Sequence, residues 1–200
     1  MSHYFQTPAS PERRHEVTAQ IWGREYAFVS AAGVFSSSRL DPGTSVLFRL
    51  TDPPADRTAR LLDLGCGFGP IAIALATTCP HAVVDAVDVN DRAVELTRDN
   101  ARLAGVADRV YVSHPDEVPD GTQYDEIWSN PPIRIGKTGL HNLLTTWLAR
   151  LKPDGMANLV VGKNLGADSL HAWLEIEGWA VTRLGSSQGF RVLSCRTRAC

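Results

Sequence analysis

The chain has 200 residues, 44% hydrophobic and 21% charged, with a formal net charge of −2. That length suits one sizeable domain with its own core, and the slight acidity argues against a strongly basic nucleic-acid surface. Cys66, Cys79, Cys195 and Cys200 lack C-x-x-C spacing, and no run resembles a signal peptide or membrane span, which suggests a reduced cytoplasmic protein with neither a zinc site nor a disulfide framework.

Residues 1–11 read as a loose arm. From His15 the pattern alternates through Val17, Ala19 and Ile21, then Tyr26 and Phe28, predicting a β-hairpin with Gly23 in its turn. Residues 31–36 read as an extended continuation. Asp41-Pro-Gly-Thr44 opens a helix that buries Val46, Leu47 and Leu50. Residues 51–56 form a solvated linker. Residues 1–56 are thus an N-terminal arm and hairpin extension, and residues 57–200 the core of what is a single domain overall.

The core begins with Leu61, Leu62 and Leu64, an apolar run typical of a strand covered on both faces. Gly65, Gly67 and Gly69 follow, where backbone without a Cβ lets a ligand approach closely. Pro70 suits a first helical position, and residues 71–76 continue as an apolar helix. A dinucleotide fingerprint needs a glycine at the sixth place of G-x-G-x-x-G; here that place is Pro70. An acidic residue, Asp63, ahead of G-x-G-x-G is instead the pattern of S-adenosylmethionine (SAM) binding. A tight structural turn is the bland alternative, and Cys66 inside the loop reads as a small packing residue.

A second strand, residues 82–87, ends at Asp88. An acidic residue about 20 positions past the loop accepts hydrogen bonds from ribose hydroxyls. Asp85 reads instead as solvated or near a strand edge. A helix over residues 92–104 places Val94, Thr97, Ala101 and Ala104 on one stripe and stops at Gly105. After a third strand, residues 110–112, a polar turn offers His114, Asp116 and Glu117 as adenine ligands, with Asp116 preferred.

The fourth strand, residues 124–128, runs into Ser129-Asn-Pro-Pro132. Paired prolines end a strand, and a stiff exit would account for them alone. Preceded by Asn130, they suit a second role. An exocyclic amine is a poor nucleophile because its lone pair is delocalised into the π system. The Asn130 side-chain oxygen and a neighbouring backbone carbonyl can accept its two N–H bonds and aim the lone pair. Pro131 and Pro132 hold those acceptors still, which is preorganisation. Beyond them, Arg134 and Lys137 are candidates for phosphate contacts, with surface solvation as the alternative.

Leu140, Leu143, Leu144, Trp147, Leu148 and Leu151 form a helical core stripe, and His141 reads as a capped or solvated helix residue. A turn at residues 152–155 leads to a strand over 156–161. A helix over 169–177 buries Leu170, Trp173 and Leu174. Residues 179–184 and 190–195 form an antiparallel pair across a 185–189 turn.

The pairing of Asp63-Leu-Gly-Cys-Gly-Phe-Gly69 with Ser129-Asn-Pro-Pro-Ile133 resembles class I SAM-dependent methyltransferases that modify amino nitrogens. With Gly33-Val-Phe-Ser36, Leu40-Asp-Pro-Gly-Thr44 and Asn130-Pro-Pro-Ile-Arg-Ile-Gly-Lys137, the resemblance narrows to the "methyltransferase small" domain of small-subunit ribosomal RNA guanine-N2 methyltransferases. It spans residues 4–196. It implies that Asp63, Gly65, Cys66, Gly67 and Gly69 line the SAM methionine moiety and that Asp88 binds the ribose. It further implies that Asn130 and Pro131 hold the target amine. Phe35, Ser36, Gly43 and Thr44 would wall cofactor and target, and Ile133 would stand where many relatives stack an aromatic on the flipped base. The bacterial enzymes also carry a second, degenerate domain copy.

The expected fold is Rossmann-like α/β, with a seven-stranded mostly parallel sheet, a C-terminal antiparallel hairpin and the N-terminal hairpin in front. The expected reaction is methyl transfer from SAM to an exocyclic amine, guanine N2 of ribosomal RNA, without metal, membrane or covalent nucleophile. The alternatives are amino methylation of another RNA, a protein glutamine or a small molecule, or a non-catalytic SAM- or RNA-binding module. An RNA partner predicts a local basic patch drawn from Arg13, Arg14, Arg24, Arg134 and Lys137.

Overall fold

The computed structural model describes residues 13–34 and 38–197. Phe35 and Ser36 lie outside them. Strands β1 (Arg14–Ile21) and β2 (Arg24–Ala31) form the expected antiparallel hairpin. Trp22 and Gly23 both take positive φ, 47° and 76°, the twist that suits a two-residue hairpin turn. A tryptophan there is strained. It is held by its indole N–H bond to Thr51 O at 2.9 Å and by edge-on packing against Phe48 and Trp128. After β2 the chain turns at Gly33 (φ 92°) instead of continuing extended. Arg92 and Asn90 hold that turn through the carbonyls of Ala32 and Gly33.

Helix α1 (Pro42–Leu50) starts at Asp41, whose Oδ1 accepts from Gly43 N at 2.7 Å and Thr44 N at 3.1 Å. Proline at the first helical position completes a strong start signal. The core alternates strand and helix: β3 (Ala59–Leu64), α2 (Pro70–Thr78), β4 (Ala82–Val87), α3 (Asp91–Leu103), β5 (Val110–Ser113), β6 (Tyr124–Ser129), α4 (Gly136–Leu148), β7 (Leu151–Gly162) and α5 (Ala167–Ile176). The antiparallel pair β8 (Trp179–Ser187) and β9 (Phe190–Thr197) closes it.

The sheet order is β5-β4-β3-β6-β7-β9-β8, with only β9 running against the rest. Side chains alternate across it. Leu61 faces α2, α3 and the hairpin, whereas Leu62 and Leu64 face α4 and α5. Val17, Ile21 and Phe28 of the hairpin share one core with Leu61 and Val84, so the extension is packed into the fold. Helix α2 is buried all round, as a helix apolar on every face must be.

Four local expectations are corrected by the fold. Asp85 is buried inside the sheet, where Arg60 pairs with it through two bonds of 2.9 and 3.2 Å. Ala104 caps α3 on the exposed side. Gly185 belongs to a bulge in β8, not to the turn, and Leu50 of α1 would lie 3.1 Å from a Cβ there. Residues 152–155 likewise form a bulge within β7. Among the described residues no helix is long and apolar enough to cross a membrane.

Asn100 of α3 joins the hairpin to the core. Its Oδ1 accepts from Val29 N at 2.7 Å, and its Nδ2 donates to Val29 O and to Phe68 O at 2.8 and 2.7 Å. Asn100→Ala strands these buried groups and should cost about 2–4 kcal/mol in urea unfolding. A loss under about 0.5 kcal/mol would show that apolar packing alone docks the hairpin.

Candidate active site

Strand order reverses between β3 and β6, the place where an open α/β sheet leaves a crevice beyond its carboxyl ends. A cavity of about 290 Å³ occupies it, walled by Gly65, Cys66, Gly67, Asp88, Asn130, Pro131 and Pro132, with Asp41 and Thr44 from α1 and Arg134 at its side. Most of its remaining wall is apolar, including Val34, Ile71, Val89, Leu143 and Phe190.

The glycine loop is held at almost every residue. Gly65 N and Cys66 N both donate to Val87 O at 2.8 and 3.1 Å. Gly67 N donates to Asp88 Oδ2 at 2.9 Å, and Thr97 Oγ1 donates to Gly67 O at 3.0 Å. A Cβ at Gly67 would meet nothing within 4 Å and one at Gly65 only Pro132, at 3.9 Å. Both glycines, at φ 60° and 79°, therefore leave space beside the loop. Burial pushes the Cys66 thiol well up, so it stays protonated.

Asp88 caps the loop following β4. Its Oδ1 accepts from Asn90 N at 3.0 Å while its Oδ2 holds Gly67. Burial raises its carboxyl against these backbone bonds. Each oxygen retains acceptor capacity. On the other wall, Ser129 Oγ donates to Leu64 O at 2.6 Å and fixes the end of β6. Asn130 Nδ2 donates to Asp41 Oδ1 at 2.7 Å and to Thr44 Oγ1 at 3.1 Å.

Five of the sequence candidates lie off this wall, Gly43 among them. Asp63 is fully buried behind the loop, its Oδ2 accepting from Ala72 N at 2.9 Å. Gly69 turns away toward α3, where a Cβ would come within 2.9 Å of Thr97. Asp116 is exposed on a 3-10 turn whose Pro115 faces the cavity instead, while His114 pairs with Asp91 and Glu117 caps His114 N. Lys137 lies in the first turn of α4, beside a second, smaller cavity that also includes His141. His141 stacks on Trp173 at 3.8 Å. For Ile133 only the backbone is described, in the turn after Pro132.

Asp41, Val89, Pro115 and Phe190 escaped the sequence reading as site residues. Only Asp41 carried a local signal, as a helix start. Among the described residues no group of three or more His, Cys, Asp or Glu could hold a metal.

The sequence matches the methyltransferase small domain family over residues 25–194. The chain belongs to this family of class I SAM-dependent methyltransferases. It is 30% identical over 196 residues to YbxB of Bacillus subtilis (strain 168), an uncharacterized protein, covering 97% of each. It is 36% identical over 165 residues to ribosomal RNA small subunit methyltransferase C of Hahella chejuensis (strain KCTC 2396), covering 80% of this chain and 46% of that one. The structure of T. thermophilus 16S rRNA N2 G1207 methyltransferase (RsmC), solved with AdoMet and guanosine, superposes with a TM-score of 0.77 at 24% identity, covering 96% of this chain and 52% of that one. The chain thus spans about half the length of these ribosomal RNA enzymes.

Burial pushes the Asp63 carboxyl up to about 8; the Ala72 N–H opposes this and Asp88 adds to it. An unfolded Asp titrates near 3.9, so between roughly pH 4 and pH 8 the folded chain holds a proton that the unfolded chain has released. Stability from this group is fullest near pH 4 and declines as the pH rises towards 8. Asp63→Asn should therefore gain stability relative to wild type from pH 5 to pH 8 in denaturant titrations. A difference independent of pH would contradict a protonated Asp63.

Proposed function

We propose that this protein transfers a methyl group from SAM to an exocyclic amino group, and that the amine is guanine N2 of small-subunit ribosomal RNA. The observation that carries the reading is the meeting of the two motifs. The glycine loop with Asp88 and the Asn130-Pro131-Pro132 exit wall one cavity, with Pro132 against Gly65.

The residues fit the cofactor. Gly65 and Gly67 leave room beside their backbone, Asp88 offers acceptors to a ribose, and Val89, Ala93 and Pro115 supply apolar wall for an adenine. When bound, SAM supplies an electrophilic methyl group on a sulfonium. Asn130 Oδ1 and the backbone carbonyl beside it accept the two amine N–H bonds and direct the nitrogen lone pair into the cavity. Pro131 and Pro132 keep both acceptors in place, so little reorganisation is needed on the way to transfer. The methylated nitrogen is a strong acid once its lone pair is used, so its proton passes to solvent without a dedicated base. Phe190 packs on the first turn of α1, near the Asn130 end, and offers a ring face to a base that has left its stack.

Support for RNA comes from the relatives and from Arg134 and Lys137 in the segment after Pro132. Two of the five proposed cations stand at opposite ends of the hairpin. Arg14 pairs with Glu95 and Asp99, and Arg24 lies at the turn end of the hairpin, opposite Arg14. That scatter, with the net charge of −2, favours as the second reading an uncharged amide or small amine in the same site.

Two variants test the roles. Asn130→Ala should bind SAM normally in calorimetry yet lose turnover on small-subunit ribosomal RNA roughly 100-fold or more. Weaker SAM binding with full turnover of bound cofactor would contradict the role of Asn130. Asp88→Ala should weaken SAM binding roughly 10–100-fold, and unchanged affinity would remove Asp88 from the cofactor site.

A further inference from the structure

We propose that Asp41 is the positioning residue that sets the orientation of the Asn130 amide, and through it the kind of nucleophile the site accepts. The inference rests on the reading of Asn130 as the acceptor of the target amine.

One oxygen of Asp41 serves both the helix and the site. Its Oδ1 accepts from Gly43 N and Thr44 N, which starts α1, and from Asn130 Nδ2 at 2.7 Å. A carboxylate accepts and does not donate, so the atom of Asn130 facing it is the amide nitrogen. Thr44 Oγ1 takes that nitrogen at 3.1 Å as well. Both amide hydrogens are then engaged, and Oδ1 of Asn130 is the atom left for the cavity. A flipped amide would press its oxygen's lone pairs against the carboxylate. The charge on Asp41 also polarises the amide and strengthens its carbonyl as an acceptor.

Fixing the amide this way fixes specificity. The site presents an acceptor, so it suits a nucleophile that still carries hydrogen. It disfavours a ring nitrogen whose bare lone pair would face the Asn130 oxygen. The local packing protects the arrangement, since a Cβ on Gly43 would stand 2.9 Å from Asp41 Oδ1 and 3.0 Å from the Phe190 ring. The device lies 89 residues from Asn130 in sequence, on an element that belongs to neither motif.

The test uses the full chain with SAM bound and unmethylated small-subunit ribosomal RNA transcribed in vitro. Asp41→Ser keeps a helix-capping oxygen but is too short to reach Asn130. It should bind SAM as wild type does and lose kcat roughly 10–100-fold with KM for the RNA little changed. The Asn130 side-chain NH₂ signals in ¹⁵N NMR, assigned by their absence in Asn130→Ala, should exchange with solvent at least about tenfold faster. Asp41→Asn retains an acceptor and should restore most of both. Thr44→Val leaves the helix start intact and should show a smaller change of the same kind, which keeps the test available should Asp41→Ser fail to fold. Unaltered amide exchange and kcat in both Asp41→Ser and Thr44→Val would overturn the proposal. A wild type that binds SAM and protects the amide, yet methylates no RNA, would support the positioning role and defeat the RNA reading.

Discussion

Ser129 Oγ donates to Leu64 O at 2.6 Å and ties together the carboxyl ends of β3 and β6, the two strands at which the sheet reverses its order. Everything functional in this molecule depends on those ends staying side by side. Strand β3 delivers the glycine loop and β6 delivers Asn130-Pro-Pro132, so their registration sets the distance between the two walls of the cavity. The pairing Leu64↔Ser129 is the last rung before the two loops part. A slip of one residue would turn every side chain on β6 to the opposite face. It would carry Asn130 away from the cavity with them.

The loops are then gripped from outside the sheet. Asp88 and Thr97 hold Gly67, Asn100 holds Phe68, and Asn90 and Arg92 hold the turn after the hairpin. These contacts come from the end of β4 and from α3, so one helix joins hairpin, glycine loop and cavity wall. Helix α1 does the same on the other side through Asp41 and Thr44. The site owes its order to buried hydrogen bonds whose loss would leave groups unpaired, a large penalty compared with the modest net gain of each bond.

The two loops that wall the cavity were legible because their constraints are local. A glycine that needs positive φ, a proline that ends a strand and an acid at a strand terminus all leave marks in a few consecutive residues, as at Gly65, Gly67, Pro131 and Asp88. Four placements were not legible, three of them because their causes lie far off in the chain. Asp85 looked solvated until Arg60, on the neighbouring strand, neutralised it. Asp116 looked like a ligand, but the 3-10 turn after His114 points Pro115 inward instead. Asp41 read only as a helix start, since its bond to Asn130 exists only once the sheet has formed. Phe190 reaches the cavity because β9 inserts beside β7, a long-range topological fact with no local signature.

The measurement that bears most directly on the central claim is transfer of labelled methyl from SAM to small ribosomal subunits, naked ribosomal RNA, tRNA and total protein from cells lacking this protein. Product nucleosides are then separated and identified by mass. The account predicts label in N2-methylguanosine of small-subunit RNA. Label confined to protein or tRNA would contradict the ribosomal assignment while leaving the amine-holding site intact, and no label in any fraction, despite measurable SAM binding, would contradict catalysis itself.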